Sequence, residues 1–384
     1  MRTYFDHNAT TPPAPEVVEA VVRALRDDFG NPSSVHHFGQ RAKAELDEAR
    51  SSVAELIGGE PGDIVFTSGG TEADNMALRG AAEAAEAAGN RRHVIVSAIE
   101  HEAVLNTVKA LTRRGWTSTL LPVGASGIVA PAALASAITP QTAIVSVMHA
   151  NNEIGTIQPI ADLAAIAHEH GALFHTDAVQ SAAKIPVDVA ALGLDLLSLS
   201  AHKFNGPKGA GALWIRRGTR IVSTMTGGKH ERNRRGGTEN VPGIAGLGVA
   251  ARLARAKLKG DAVRIAALRD RLEQGVLAQV SGTAVNGDVS SRVPNTTNIS
   301  FEGVEAESLL IGLDLEGFAV STGSACSSGT LEPSHVLRAM GLPTHRTQNS
   351  IRFSLGLGNT EQQIDALLER LPSVVSKLRT LVRR

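Results

Sequence analysis

The chain has 384 residues, roughly two to three times a common domain, so two domains or one large core with a smaller appendage are expected. With 42% apolar and 20% charged residues, 38 Gly and 16 Pro, its composition is that of a globular protein and excludes a disordered or fibrous one. Lys plus Arg equals Asp plus Glu at 38 each, which removes the basic surplus that direct nucleic-acid binding needs; no apolar run approaches the ~20 residues of a membrane span, and MRTYFDHNATTPPAP has no apolar signal segment, so a soluble cytoplasmic protein is expected.

The first 15 or so residues are turn-rich, and a helix is expected after Asn31-Pro32. From about residue 60 to 215, β-branched runs at 63–67, 93–99, 117–123, 143–149, 172–176, 194–200 and 211–215 alternate with other segments. Most of these intervening segments, at 71–88, 101–114, 131–138 and 160–170, have helical period. The pattern predicts an α/β fold with buried strands in a mainly parallel seven-stranded sheet. Residues 239–280 are Ala, Leu and Arg rich without a strand signal and predict a long helix or helix pair that links two domains. Strand signals at 296–301, 318–321 and 350–354, with helices near 305–315 and from about 360, predict a small α+β domain.

Ligands of such sheets bind beyond the carboxyl ends of the strands. Neither G-x-x-x-x-G-K-[ST] nor a G-x-G-x-x-G that opens a helix is present. TSGGTEADN at 67–75 follows a strand and opens a helix, so Gly70 and Thr71 lie at a helix N-terminus, where backbone donors and dipole favour a phosphate; a plain cap at Thr71-Glu72 is an equal alternative. Four more strand ends carry Glu100-His101, Asn151-Asn152-Glu153, Asp177 with Gln180, and Ser200-Ala201-His202-Lys203. Each by itself is more often a helix cap or a solvated side chain than a ligand group, but independent caps would not converge on one edge of one sheet.

A phosphate site, a carboxylate, a lysine, a ring and amide donors are the parts that pyridoxal 5′-phosphate requires. Asp177 fits the partner of the ring nitrogen, Gln180 the donor to the phenolate oxygen, Lys203 the amine for the aldehyde, and His101 a ring stacked on the pyridine. The single cysteine, Cys326, excludes internal disulfides, Cys-rich zinc sites and an iron–sulfur cluster held within one chain.

HTDAVQS at 175–181, SLSAHKFNGPKGAGAL at 198–213, MHANNEIG at 148–155, RRGGTENV at 234–241 and STGSACSSGTLEPSHVLRAMG at 321–341 resemble the cysteine desulfurases of the NifS/IscS type, in the class V aminotransferase branch of fold-type I pyridoxal phosphate enzymes. The likeness runs from DHNATTP at 6–12 to IRFSLG at 351–356. It implies a large cofactor-binding α/β domain over 15–258 and a small α+β domain made of 1–14 and 259–384. It implies that Lys203 holds the cofactor and shuttles protons, that Asp177, Gln180 and His101 act as above, and that Gly70, Thr71, Ser200, Ala201 and His202 bind the cofactor, joined by Thr238 from the other subunit of a homodimer. Asn152 and Arg352 resemble the carboxylate clamp, and Cys326 the residue that receives sulfur as a persulfide.

The implied activity is conversion of L-cysteine to L-alanine, with the sulfur passed to an acceptor protein such as an iron–sulfur scaffold. No metal is expected within the chain, Cys326 serving at most as a transient iron–sulfur ligand with a scaffold partner. A selenocysteine lyase or another class V aminotransferase-like enzyme is the alternative, and a sulfur-carrier or scaffold role a third; the uninterrupted loop after Cys326 favours cysteine as substrate. The likeness departs at His7, where a residue such as Tyr or Asn is expected. The basic stretch Lys229 to Arg235 is read as an active-site rim at the dimer interface.

Overall fold

The computed structural model describes residues 2–89, 91–323 and 333–382. In chain order its elements begin with β1 (Thr3–Tyr4), α1 (Pro15–Arg26), α2 (His37–Leu56), β2 (Ile64–Thr67), α3 (Gly70–Gly89), β3 (His93–Ser97), α4 (Glu102–Thr112) and β4 (Thr117–Leu121). They continue with α5 (Pro131–Ala137), β5 (Thr142–Ser146), α6 (Ile160–Glu169), β6 (Leu173–Asp177), β7 (Leu196–Ser200), β8 (Gly211–Ile215) and α7 (Val241–Gln279). The last part holds β9 (Thr283–Asn286), β10 (Thr296–Phe301), α8 (Ala306–Leu315), β11 (Phe318–Ala319), α9 (His335–Ala339), α10 (Thr344–Gln348), β12 (Ser350–Ser354) and α11 (Glu361–Val382).

A seven-stranded sheet runs in the order β2-β8-β7-β6-β5-β3-β4. Strands β3 to β7 pair parallel with their neighbours among themselves, and β3, β5 and β7 are buried along their whole length, which is why they read as continuous apolar runs. Strand β8 is antiparallel to both β7 and β2. Only residues 201–210 separate β7 from β8, too few for a crossover helix, so the chain turns back on itself. That short return carries Lys203.

A second, antiparallel sheet β12-β10-β9 packs with α8 and α11 around Phe5, Leu272, Phe301 and Phe353, a core separate from the one that contains Ile95, Val145, Phe174 and Leu197. Helix α7 is continuous over 39 residues and spans both cores. Its first half packs on α1 and α2, so closely at Gly248 that a Cβ there would lie 2.5 Å from the Ala49 Cα; its second half buries Leu268, Leu272 and Val276 in the other core.

Some elements differ from the sequence reading. Helix α1 starts at Pro15, the position where proline's missing N–H costs nothing, within the region read as preceding the first helix. Strand β3 ends at Ser97, not 99, because Glu100 turns inward. Residues 239–280 form one helix and not a pair. Strand β9 carried no signal, being four half-buried residues, TAVN.

The basic stretch 229–235 has a buried anchor at its centre. Glu231 accepts two hydrogen bonds from the Arg50 guanidinium on α2, at 2.8 and 2.9 Å, and one from the Phe66 N–H at 3.0 Å, while Arg50 lies 4.6 Å over the Phe66 ring. Glu231, Arg232 and Asn233 adopt left-handed backbone, with φ of 44, 57 and 64°. Three such residues in a row are strained, and the buried ion pair holds them there. Glu231→Ala leaves the Arg50 charge buried and unpaired and should cost about 3–5 kcal/mol of unfolding free energy. Urea unfolding of the variant checks this; a loss below about 1 kcal/mol would mean that the pair does not anchor the loop.

Candidate active site

A cleft of about 330 Å³ opens beyond the carboxyl ends of the parallel strands, and Gly70, Thr71, His101, Asn152, Asp177, Gln180, Ser200, His202, Lys203 and Arg352 all line it. The strand ends that the sequence singled out therefore reach one place. Of the trio after β5 only Asn152 faces the cleft. Asn151 is buried, its Oδ1 accepting from the Glu153 and Ile154 N–H groups and its Nδ2 donating to the Ile99 carbonyl, while the Glu153 carboxylate accepts from Ser334 Oγ at 2.5 Å.

Lys203 closes the 3-10 turn that follows β7, and its Nζ donates to the carbonyls of Asn8 at 2.7 Å and Ala9 at 2.8 Å. Burial lowers its pKa to about 8, helped by the Arg352 charge and opposed by Asp177 and Asp6. Near neutral pH a useful fraction of this amine is therefore an uncharged nucleophile.

The start of α3 forms a cradle. Helix geometry leaves its first N–H groups without intrahelical acceptors, and a Cβ on Gly70 would lie 2.8 Å from Val179 Cγ2 and 3.6 Å from Ser200 Cβ. Only glycine lets the helix end, Ser200 and Val179 approach this closely. His202 closes the side, its Nδ1 3.1 Å from Thr10 Oγ1, and burial lowers its ring to about 4, so it is neutral.

Asp177 ends β6 and accepts the Val179 N–H at 2.8 Å. Burial pushes its carboxyl upward, opposed by His101, that N–H and Lys203. Behind it stand two more buried acids, Asp74 and Glu100, both raised chiefly by burial, Glu100 to about 8. Between them His175 bridges Ser146 and Ser198, at 2.8 and 2.9 Å, with burial lowering its ring to about 3. Three carboxyls in one dry region cannot all ionise; Asp177, the one that faces Lys203 and His101, keeps the charge.

His101 caps α4, its Nδ1 accepting the Ala103 N–H at 3.1 Å. The plain cap and the cleft residue are thus the same side chain. Because Nδ1 is an acceptor, the neutral ring carries its proton on Nε2. Across the cleft on β12, Arg352 donates from Nη1 to the Asn152 carbonyl at 2.9 Å and from Nη2 to Asp6 Oδ1 at 2.6 Å. Its Nε is buried without a partner among the described residues, a donor left for an incoming acceptor.

Two of the expected site residues do not line this cleft. Ala201, between Ser200 and His202, has a buried methyl, and its N–H bonds to the Ala210 carbonyl. Thr238 is exposed on the loop before α7 and does not line the cleft of its own chain. Cys326 lies outside the described residues.

Sequence reasoning also missed several residues. Asn8, in the quoted DHNATTP, binds the Lys203 and Gln180 side chains through its carbonyl and reaches Lys184, Asn295 and Thr296 through its side chain. Lys184, before Ile-Pro, and Asp74, inside a helix, gave no pattern to notice.

These residues fit pyridoxal 5′-phosphate. The helix N-terminus at Gly70, where a Cβ would meet Val179 and Ser200, offers N–H donors to a phosphate, Asp177 offers a carboxylate to a ring nitrogen, and the Lys203 amine is desolvated. The aminotransferase class-V model matches residues 3–367. The cysteine desulfurase IscS of Dictyoglomus turgidum is 50% identical over 378 residues, 98% of this chain and 95% of that one. A solved NifS-like protein superposes with a TM-score of 0.92 at 38% identity, covering 98% of this chain and 100% of its own. The structure of SspA in complex with cysteine gives a TM-score of 0.82 at 36% identity, covering 92% and 99%.

The depressed Lys203 pKa makes a directional prediction. The neutral fraction of the amine rises with pH through about 8, so cofactor uptake by the cofactor-free chain should accelerate between pH 7 and pH 9 and level off above. Stopped-flow absorbance after mixing with pyridoxal 5′-phosphate reads this rate. Lys203→Ala should give no visible band, and an unchanged band in that variant would assign the cofactor to another lysine.

Proposed function

The chain belongs to the class-V aminotransferase family and is a pyridoxal 5′-phosphate-dependent cysteine desulfurase; we propose that Lys203, Asp177, Gln180, His101 and Arg352 run this reaction and that Cys326 receives the sulfur. The observation that carries the assignment is the meeting, in one cleft, of a desolvated lysine, a buried carboxylate and an arginine with an unused donor.

Bound in the cleft, the cofactor supplies an electron sink that stabilises negative charge at the substrate Cα. Lys203 Nζ would hold the cofactor by its aldehyde and, when free, would remove the Cα proton. Asp177 would keep the ring nitrogen protonated, and Gln180 Nε2 would donate to the phenolate oxygen. His101 would stack on the ring and exchange a proton at Nε2. Gly70, Thr71, Ser200 and His202 would hold the phosphate, completed by Thr238 of the partner subunit. Arg352, with Asn152, grips the carboxylate of L-cysteine, which fixes the Cα–H bond relative to Lys203. The cysteine held by the related SspA supports this substrate.

Overall, the C–S bond of L-cysteine breaks, its sulfur forms an S–S bond with the Cys326 thiolate, and the carbon left behind is protonated to give alanine. An acceptor thiolate then attacks the outer sulfur, the S–S bond to Cys326 breaks and its thiolate is released, the acceptor proposed being an iron–sulfur scaffold protein in the cytoplasm. No described helix is long and apolar enough to cross a membrane. Residues 15–258 serve as the cofactor-binding domain, while 1–14 and 259–384 form the smaller domain that carries Cys326. The working unit is a homodimer: Val18, Val22 and Leu25 on α1, with Phe29, Val35 and Phe38 just after it, are all exposed, an apolar surface suited to a second copy.

Cys326→Ser should bind cofactor and L-cysteine yet give neither persulfide nor alanine, whereas the native chain gives alanine and, after reductant, sulfide in equal amounts. Alanine and sulfide at native rates from the variant would remove Cys326 from the reaction. Light scattering should find a dimer, and Val22→Glu with Leu25→Glu should dissociate it; a native monomer that turned over cysteine would refute the shared phosphate site.

A further inference from the structure

Lys184 follows a strained turn. Ala183 has φ of 63°, left-handed backbone that an alanine adopts at a cost, and it reverses the chain so that Lys184 reaches back to Gln180. Lys184 Nζ donates to Gln180 Oε1 at 2.5 Å and to Asn8 Oδ1 at 3.1 Å. No carboxylate pairs with it among the described residues. The charged groups that act on it are Lys203, after β7, and Arg352, on β12, both cations; on the other side stands the His7 ring, which Lys184 itself disfavours in its charged form. Burial and these two cations lower the Lys184 pKa well below its usual value. A half-buried lysine with no carboxylate partner among the described residues, next to the reactive lysine, is an expensive feature for a purely structural residue.

Its bond decides which way the Gln180 amide faces. Gln180 Nε2 donates to the Asn8 carbonyl at 2.9 Å while Oε1 accepts from Lys184. Flipping the amide would set Oε1 against that carbonyl and the NH₂ group against the amine, replacing two hydrogen bonds by two repulsions. With the amide locked, the second hydrogen on Nε2 remains for the cleft that Gln180 lines.

We propose that Lys184 is a positioning residue: by holding Gln180 Oε1 it keeps the Gln180 amide nitrogen turned toward the phenolate oxygen of the cofactor. This rests on the reading of the cleft as a pyridoxal phosphate site. A donor at the phenolate oxygen stabilises its negative charge and so weakens the proton affinity of the nitrogen that joins Lys203 to the cofactor. Without Lys184 only the Asn8 carbonyl still orients the amide, so its oxygen turns inward more readily and that proton is held more tightly.

The test uses the cofactor-loaded dimer and titrates its visible absorption band. Lys184→Met, which keeps length and removes a half-buried charge, should fold with an unchanged or higher melting temperature and move the band's pH midpoint up by about 1 unit. Gln180→Ala should move it similarly, and the double variant no further than Gln180→Ala, because both changes remove the same bond. If Lys184→Met fails to fold, Lys184→Gln carries the same titration. An unchanged midpoint overturns the proposal. So does a shift of equal size when Lys184→Met is made in the Gln180→Ala background, which would mean that Lys184 acts by its charge alone. A native chain with no visible band after loading would instead overturn the cofactor reading on which this one rests.

Discussion

Five distant parts of the chain meet on Asn8. Its carbonyl accepts from Lys203 and Gln180, its Oδ1 from Lys184 and Asn295, its Nδ2 donates to the Asn152 carbonyl and Thr296 Oγ1, and its N–H donates to Ser354 Oγ. Every polar atom of this one residue is used. The turn after β6, the turn after β7, the loop after β5 and two strands of the second sheet are thereby set against one another. Asp6, two residues earlier, adds the ion pair to Arg352. The segment gets there because β1 pairs in parallel with β11 in a separate two-stranded sheet, while the Thr11 and Ala14 N–H groups donate to the carbonyls of His202 and Asn205 in the turn after β7. Nothing else in the described chain ties Lys203 so directly to both sheets.

The electrostatics of the cleft follow from its dryness. Burial shifts Lys203 downward and Asp177 upward, each toward its neutral form; Lys203 then recovers part of its charge from Asp177 and Asp6, and Asp177 from His101, the Val179 N–H and Lys203. A site of this kind holds little net charge until a ligand brings its own. A phosphate at α3 and a protonated ring nitrogen at Asp177 would each supply the missing partner, which gives affinity and ionisation state a common cause. The buried acids behind Asp177 serve the same end, since protons on Asp74 and Glu100 leave the region's single carboxylate charge where the cation binds.

Helix α7 fixes how the two cores stand to each other. It is buried at Gly248 against Ala49 and at Leu272 in the second core, so both cores share one rigid axis. Arg352 comes from the second sheet and Lys203 from the first, and their separation across the cleft is set by this helix and by the segment around Asn8 together.

The sequence by itself determined the sheet and the strand-end residues. Alternating buried strands and amphipathic helices have a period that neighbours in the chain impose, and in a parallel sheet every strand end faces the same side, so His101, Asp177 and Lys203 could be placed at one edge before any coordinates. The motifs also pointed to Cys326, Thr238 and Arg352, whose proposed roles rest on the family resemblance and on no local pattern. What the tertiary structure decided is the network around these groups: that Asn8 joins the site, that Lys184 bonds to Gln180, and that Asp74 and Glu100 act on Asp177 from buried positions. Those facts depend on hydrogen bonds between residues as much as 346 positions apart and on how far water is excluded. Periodicity encodes which face of an element is buried; it carries no record of which distant polar group meets it there.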